Sequence, residues 1–206
     1  MQMFASFLVS SLVCSAPALA DELYPAAPPK DSAFVRVIQA SSEVTSSPAK
    51  VGDQSLGKVE FGDITSYVVV PGGSHDASLG AVSSTLEFSA GEFYTVVASG
   101  SALTLIQDPR STSLAKANIY LYNLTDQPSA KLTTGDGKVE VITGVAGGAQ
   151  GDRAVNALTT DLAVWLGETR IATFPAVSLE RSRAYSAVIT AAPDGPKAVW
   201  VTNSTR

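Results

Sequence analysis

Apolar runs of strand length, each closed by a turn signal, recur along most of this chain, and no window carries sustained helical periodicity. That punctuation constrains the fold more than any other feature. Short strands joined by frequent turns close a core as a sandwich or a barrel. Phe34 to Ile38 (FVRVI) is rich in β-branched residues and reads as a strand. Tyr67 to Val70 is another, ended by Pro71-Gly72-Gly73. Thr85 to Phe88 alternates with period two, Ser89 to Glu92 turns, and Phe93 to Ala98 and Leu103 to Ile106 follow as strands. The polar stretch from Ser41 to Gly57, with Pro48 inside it, reads as a loop.

Asp108 to Ser113 reads as a linker, and the pattern then restarts. Strands are expected at Asn118 to Leu124, Lys138 to Ile142, Asp161 to Leu166, Thr169 to Phe174, Ala184 to Thr190 and Ala198 to Thr202. Gly167-Glu168 suits a hairpin turn, and Ala146 to Gly151 (AGGAQG) a glycine-rich turn. The halves also resemble each other. Gly57-Lys58-Val59-Glu60 returns as Gly137 to Glu140. Phe88, a turn, Tyr94, Val96 and Val97 return as Leu179, a turn, Tyr185, Ala187 and Val188. The expected fold is all-β: two tandem β-sandwich domains joined by a short linker, arising by duplication. The expected boundaries are a signal peptide over 1–20, a Pro-rich arm over 21–32, a sandwich over 33–107, a linker over 108–116 and a second sandwich over 117–206.

The leader reading rests on the apolar run Phe4 to Val13 followed by Ala18-Leu19-Ala20, although no Lys or Arg precedes that run. It implies export. The single cysteine, Cys14, falls inside this leader, so the mature chain would hold neither a disulfide nor a cysteine nucleophile. Hydrophobic residues make up 45% of the chain, enough for a core without such staples. The net charge of −5 argues against a nucleic-acid partner.

Little in the sequence points to catalysis. The single histidine, His75, lies between Ser74 and Asp76, but three consecutive side chains cannot converge as a triad. It reads as a solvated turn residue. With one histidine, zinc has too few ligands. Oxygens near Asp126, Asp136 and Asp152 lack calcium-loop spacing. Glu60, Glu87, Glu140 and Glu180 lie near strands and should mostly face solvent rather than pair as acid and base. Trp165, Trp200, Tyr120 and Tyr122 read as core aromatics, or otherwise as a sugar platform or interface anchor. No catalytic, cofactor-binding or metal-binding residue is assigned, and no cofactor is expected.

Leu23-Tyr24-Pro25, Ser32 to Val37, Phe61-Gly62-Asp63-Ile64, Tyr67 to Gly72 and Tyr94 to Val97, in this order, resemble the alginate biosynthesis AlgF family. The resemblance implies a part in the periplasmic O-acetylation of alginate during exopolysaccharide biosynthesis. It implies an adaptor that is not an enzyme. Its partners would be periplasmic SGNH-type O-acetyltransferase proteins and the membrane-bound O-acyltransferase of the same system. The residues agree: Gly62-Asp63 is followed by Ile64, not the serine of an SGNH site, and no histidine follows His75. The alternative expectation is a module that binds the nascent polysaccharide through Arg153, Arg170, Arg181 and Arg183 and presents it to the acetyltransferases.

Overall fold

The computed structural model describes residues 27–42, 46–111 and 113–205. The leader, most of the proline-rich arm and Leu23-Tyr24-Pro25 lie outside the described residues. The first half contributes β1 (Ser32–Gln39), β2 (Ser46–Val51), β3 (Gln54–Glu60), β4 (Val68–Pro71), β5 (Gly73–Leu79), β6 (Val82–Phe88), β7 (Phe93–Ser99) and β8 (Ala102–Asp108). The second contributes β9 (Lys116–Leu124), β10 (Ala130–Thr134), β11 (Glu140–Val145), β12 (Ala149–Asn156), β13 (Thr159–Leu166), β14 (Thr169–Ser178), β15 (Ala184–Ala192) and β16 (Gly195–Thr202).

Each half folds into two four-stranded sheets. The orders β4-β1-β7-β8 and β3-β2-β5-β6 in the first half recur as β12-β9-β15-β16 and β11-β10-β13-β14 in the second. Within each half, the first strand runs parallel to the seventh and antiparallel to the fourth. The fold is therefore all-β, with two tandem domains of one topology. Each domain has a core drawn from both of its sheets: Val35, Val51, Val70, Leu79 and Val96 in the first, Ile119, Leu132, Val164, Ala187 and Ile189 in the second. Burying each large aliphatic side chain contributes about 1.5–3 kcal/mol.

The repeat extends to hydrogen bonds. The Ser89 amide donates to the Tyr94 hydroxyl at 3.1 Å, and the Glu180 amide donates to the Tyr185 hydroxyl at 2.9 Å. Gly91 and Ser182 occupy the same position of this turn, both at positive φ, and donate back to Ser32 and Lys116. The Gly-Lys-Val-Glu match is different. Gly57 lies opposite Ala49 within β3, whereas Gly137 lies in the hairpin between β10 and β11. That match does not join equivalent positions.

Three expectations need correction. The stretch from Ser41 to Gly57 is not a loop: it contains β2 and the start of β3. Pro48 is tolerated because β2 pairs with β5 only from Ala49 onward, so no ladder bond needs its missing amide. Ala49 and Val51 are fully buried, and that burial outweighs the weak strand propensity of Ser-Pro-Ala-Lys. Second, Ala149 to Gly151 belong to β12, so the glycine-rich turn ends sooner. Third, His75 is a strand residue of β5. It stacks on Phe88 at 6.1 Å, and its Nε2 lies 2.9 Å from the Pro71 carbonyl oxygen. Pro71-Gly72-Gly73 ends β4 as expected and carries the chain from one sheet of the sandwich to the other.

Strands β1 and β9 are buried on both faces. Ala33, Val35 and Val37 enter the first core, and Ala117, Ile119 and Leu121 the second. Their opposite faces meet: Ile38 packs with Tyr120, Tyr122 and Val188. The two domains thus join through the outer faces of the sheets that hold β1 and β9.

Candidate functional site

Arg36 projects from the centre of β1 into this junction and is 1% exposed. Its Nε donates to Thr95 Oγ1 at 2.9 Å and one terminal nitrogen donates to Asn203 Oδ1 at 2.9 Å. The other donates to the Tyr122 hydroxyl at 2.8 Å and to Ser186 Oγ at 3.0 Å. The guanidinium also lies over the rings of Tyr67 and Tyr122, 4.6 and 5.3 Å from their centroids. Asp108 is the counter-charge, but hydroxyl groups separate it from Arg36. Its carboxylate accepts from Tyr67 and Thr95 on one oxygen, at 2.8 and 2.6 Å, and from Tyr122 on the other.

The arrangement follows the internal repeat. Val35 pairs with Tyr94 and Ile119 with Tyr185, which makes Thr95 and Ser186 equivalent, and likewise Asp108 and Asn203. Thr95 donates to Asp108, and Ser186 donates to Asn203 at 2.8 Å. One arginine therefore sits between two copies of the same hydroxyl–acceptor pair. Only the first copy is charged, and that single carboxylate neutralises the single guanidinium.

The electrostatics favour a fixed network. Burial alone would lower the Arg36 pKa, but Tyr122, Tyr67 and Asp108 outweigh it and the net shift is upward. Burial, the largest cause, pushes Tyr67 and Tyr122 well above the usual phenol value; the field of Arg36 opposes this shift and that of Asp108 adds to it. Burial raises Tyr120 as well. These shifts carry Arg36, Tyr67 and Tyr122 further from neutrality, so none of the three is poised to exchange a proton there. Ser186 Oγ accepts from Arg36 and donates to Asn203, so it faces no general base and is not an activated nucleophile.

Beside the network lies an open cleft of about 520 Å³ between the domains, lined by Tyr67, Phe93, Asp108, Arg110, Tyr120, Arg183 and Ser204 among others. The C-terminal residues close one side of it. The Tyr67 amide donates to the Ser204 carbonyl at 2.8 Å, and Ser66 and Ser204 share a hydroxyl contact at 2.8 Å. The second domain thus ends by adding a short bridge next to β4 of the first.

The residues weighed in the sequence are dispersed. Glu60, Glu87, Glu140 and Glu180 are exposed on separate strands and turns. Asp136 caps its own hairpin, and the Thr134 hydroxyl, then the Lys138 amide, hold its pKa below the usual value. Asp126 and Asp152 are exposed. Among the described residues, no group of three or more His, Cys, Asp or Glu side chains could hold a metal ion. Trp200 packs against Tyr185 and Phe174, and Tyr120 and Tyr122 lie in the junction. Trp165 is half-buried on the outer face of β13. Arg153 lies on β12 and Arg170 over Trp165 in the other sheet, while Arg181 and Arg183 share one turn, Arg183 beside Glu180, so the fold does not gather the four arginines into one cluster. Sequence reasoning missed Arg36, Thr95, Asp108, Ser186 and Asn203. The available signal was a charged residue amid the apolar run FVRVI.

Comparison with known proteins adds a relationship. The family model described as "Alginate O-acetyl transferase AlgF" matches residues 7–186. "Alginate biosynthesis protein AlgF" of Azotobacter vinelandii is 34% identical over 180 residues, covering 87% of this chain and 82% of that protein. The protein of the same name from Pseudomonas putida is 33% identical over 181 residues, covering 87% and 83%. That of Pseudomonas aeruginosa is 32% identical over 190 residues, covering 89% and 85%. Among solved structures, the C-terminal domain of AlgF from P. aeruginosa aligns with a TM-score of 0.40 at 28% identity, covering 43% of this chain and 99% of that one. The N-terminal domain of the same protein aligns with a TM-score of 0.34 at 29% identity, covering 40% and 100%.

Proposed function

This chain belongs to the AlgF family of alginate biosynthesis proteins, and from that premise we propose that it is a non-catalytic periplasmic adaptor in the O-acetylation of alginate, bridging acetyltransferase components. The observation that carries this reading is the Arg36 network. It engages groups from both domains in hydrogen bonds that hold one domain against the other. A buried polar network with its members satisfied rigidifies a junction and fixes one arrangement. Two sandwiches held at a fixed angle present two separate sets of loops and edges, which suits a part that spaces its partners. The partners in this reading are the periplasmic SGNH-type O-acetyltransferase proteins and the membrane-bound O-acyltransferase, reached after cleavage of the leader. Transfer of an acetyl group by this chain itself would need an activated hydroxyl, and the buried Ser186 has no base beside it.

The test pairs two measurements. Affinity-tagged chain in envelope extract should recover an O-acetylation protein. A strain lacking the chain should regain acetylated alginate when supplied with Ser186→Ala. Recovery of no acetylation component would remove the adaptor reading. Loss of acetylation by a folded Ser186→Ala protein that still binds its partners would instead favour an enzyme.

A further inference from the structure

The outer face of the second domain carries a feature that its fold does not require. Lys131 of β10, Trp165 of β13 and Arg170 of β14 lie directly opposite one another across three strands. The Arg170 guanidinium lies 4.6 Å from the Trp165 ring centroid, and the Lys131 ammonium lies 5.6 Å from it. The indole N–H is satisfied by Thr133 Oγ1 at 2.9 Å, and Thr133 is 2% exposed beneath it. The ring is thus fixed in place.

The internal repeat supplies the comparison. The equivalent row of the first domain is Lys50, Ser78 and Ser83, in the same register across β2, β5 and β6. The same topology is therefore built with serines where the second domain has tryptophan and arginine. Packing and register do not demand the aromatic–cation pair, and Arg170 is exposed with no ion-pair or hydrogen-bond partner among the described residues. Tryptophan and arginine are also the residues most enriched where protein interfaces concentrate their binding energy.

We infer that the Lys131–Trp165–Arg170 row is a docking surface for a protein segment bearing clustered aspartate or glutamate side chains. Lys131 is paired with the exposed Glu168 at 3.6 Å, which leaves Arg170 as the row's uncompensated cation, and charge complementarity to that guanidinium selects this occupant on a chain of net charge −5. A guanidinium held over an indole face still has N–H donors to offer, and its fork geometry suits a carboxylate bound in a bidentate manner. A sugar ring is disfavoured because it stacks on an open aromatic face, and Arg170 already lies over Trp165. The inference rests on the adaptor reading and names one of its two contact faces.

The experiment uses the mature chain and, as probe, a purified periplasmic SGNH-type acetylation protein from the same organism, titrated by calorimetry at low and high salt. Arg170→Ser and Trp165→Ser copy the row of the first domain, and circular dichroism confirms that each folds. Arg170→Ser changes an exposed side chain, so it keeps the test valid if Trp165→Ser does not fold. The expected result is binding weakened on the order of tenfold or more by Arg170→Ser, and weakened by salt in the wild type. Equal binding by the folded variants and the wild type would overturn the docking surface and leave the adaptor reading standing. No binding by the wild type would overturn both. Binding of mannuronate oligomers that requires Trp165, in place of the protein probe, would assign the row to the polymer and overturn the inference.

Discussion

Replacing Arg36 with methionine keeps much of the side-chain stem and deletes the guanidinium. The wild-type group has four side-chain acceptors, on Thr95, Asn203, Tyr122 and Ser186. After the change, Thr95 and Tyr122 still donate to Asp108, and Ser186 still donates to Asn203. The loss is therefore not a sum of four hydrogen bonds. Its main part is that Asp108, 1% exposed, keeps a buried negative charge with no counter-charge beside it. Removing one partner of such a pair costs about 3–5 kcal/mol, a large part of the roughly 5–15 kcal/mol by which a domain is stable. Asp108→Asn should be similarly harmful, because it leaves Arg36 uncompensated. The double variant should cost less than the sum of the singles, by about 1–3 kcal/mol. Urea unfolding followed by circular dichroism measures all three, and loss of the junction should also split one cooperative transition into two. A loss below about 1 kcal/mol for Arg36→Met, or strict additivity in the double variant, would refute the claim that these charges compensate each other across the hydroxyls.

Three further outcomes are expected. Burial raises the pKa values of Tyr67, Tyr120 and Tyr122 above their common reference of 10.0. The fold therefore favours the neutral phenols, and their contribution is complete below about pH 10 and is lost as pH rises above it. Urea midpoints should fall steeply above about pH 10, and Tyr67→Phe should flatten that slope; a pH-independent midpoint would contradict it. Tyr94→Phe and Tyr185→Phe each remove the bond that closes an equivalent turn. Each should cost about 1 kcal/mol in chemical denaturation, and a large inequality between them would count against equivalence of the two turns. A Cβ on Gly147 would stand 2.6 Å from the Thr125 carbonyl oxygen and 3.2 Å from that of Gln127. Backbone cannot yield as a side-chain tip does, so Gly147→Ala should destabilise by roughly 1–3 kcal/mol, visible as a lowered melting temperature.

The strands with strong period-two patterns or β-branched cores, such as Phe34 to Ile38 and Phe93 to Ala98, were legible because propensity and burial point the same way there. Strand β2 was not, because Ser-Ser-Pro-Ala-Lys-Val carries loop-like residues and becomes a strand only when β3 and β5 pair with it and the core shared with the facing sheet buries Ala49 and Val51. Strands β10 and β12 were also missed; Ala-Lys-Leu-Thr-Thr is short, and β12 is mostly exposed, so neither has a distinctive apolar pattern. Asp108 was read into a linker because Asp-Pro is a turn signal, yet it ends β8 and is buried.

By itself the sequence determined that this is a chain of short strands, that it repeats, and which residues of a strand share a face, because side chains alternate from one face of a strand to the other. The tyrosine turns of the repeat were visible because they are local: amide and hydroxyl are five positions apart. What covers a face is not local. Only the tertiary structure turned the outer faces of β1 and β9 toward each other, and brought Arg36 to Tyr122 and Ser186 from 86 and 150 positions away. The charged residue in FVRVI was legible as an oddity. Its partners became visible only once two copies of one sheet were stacked and a single arginine was left between them.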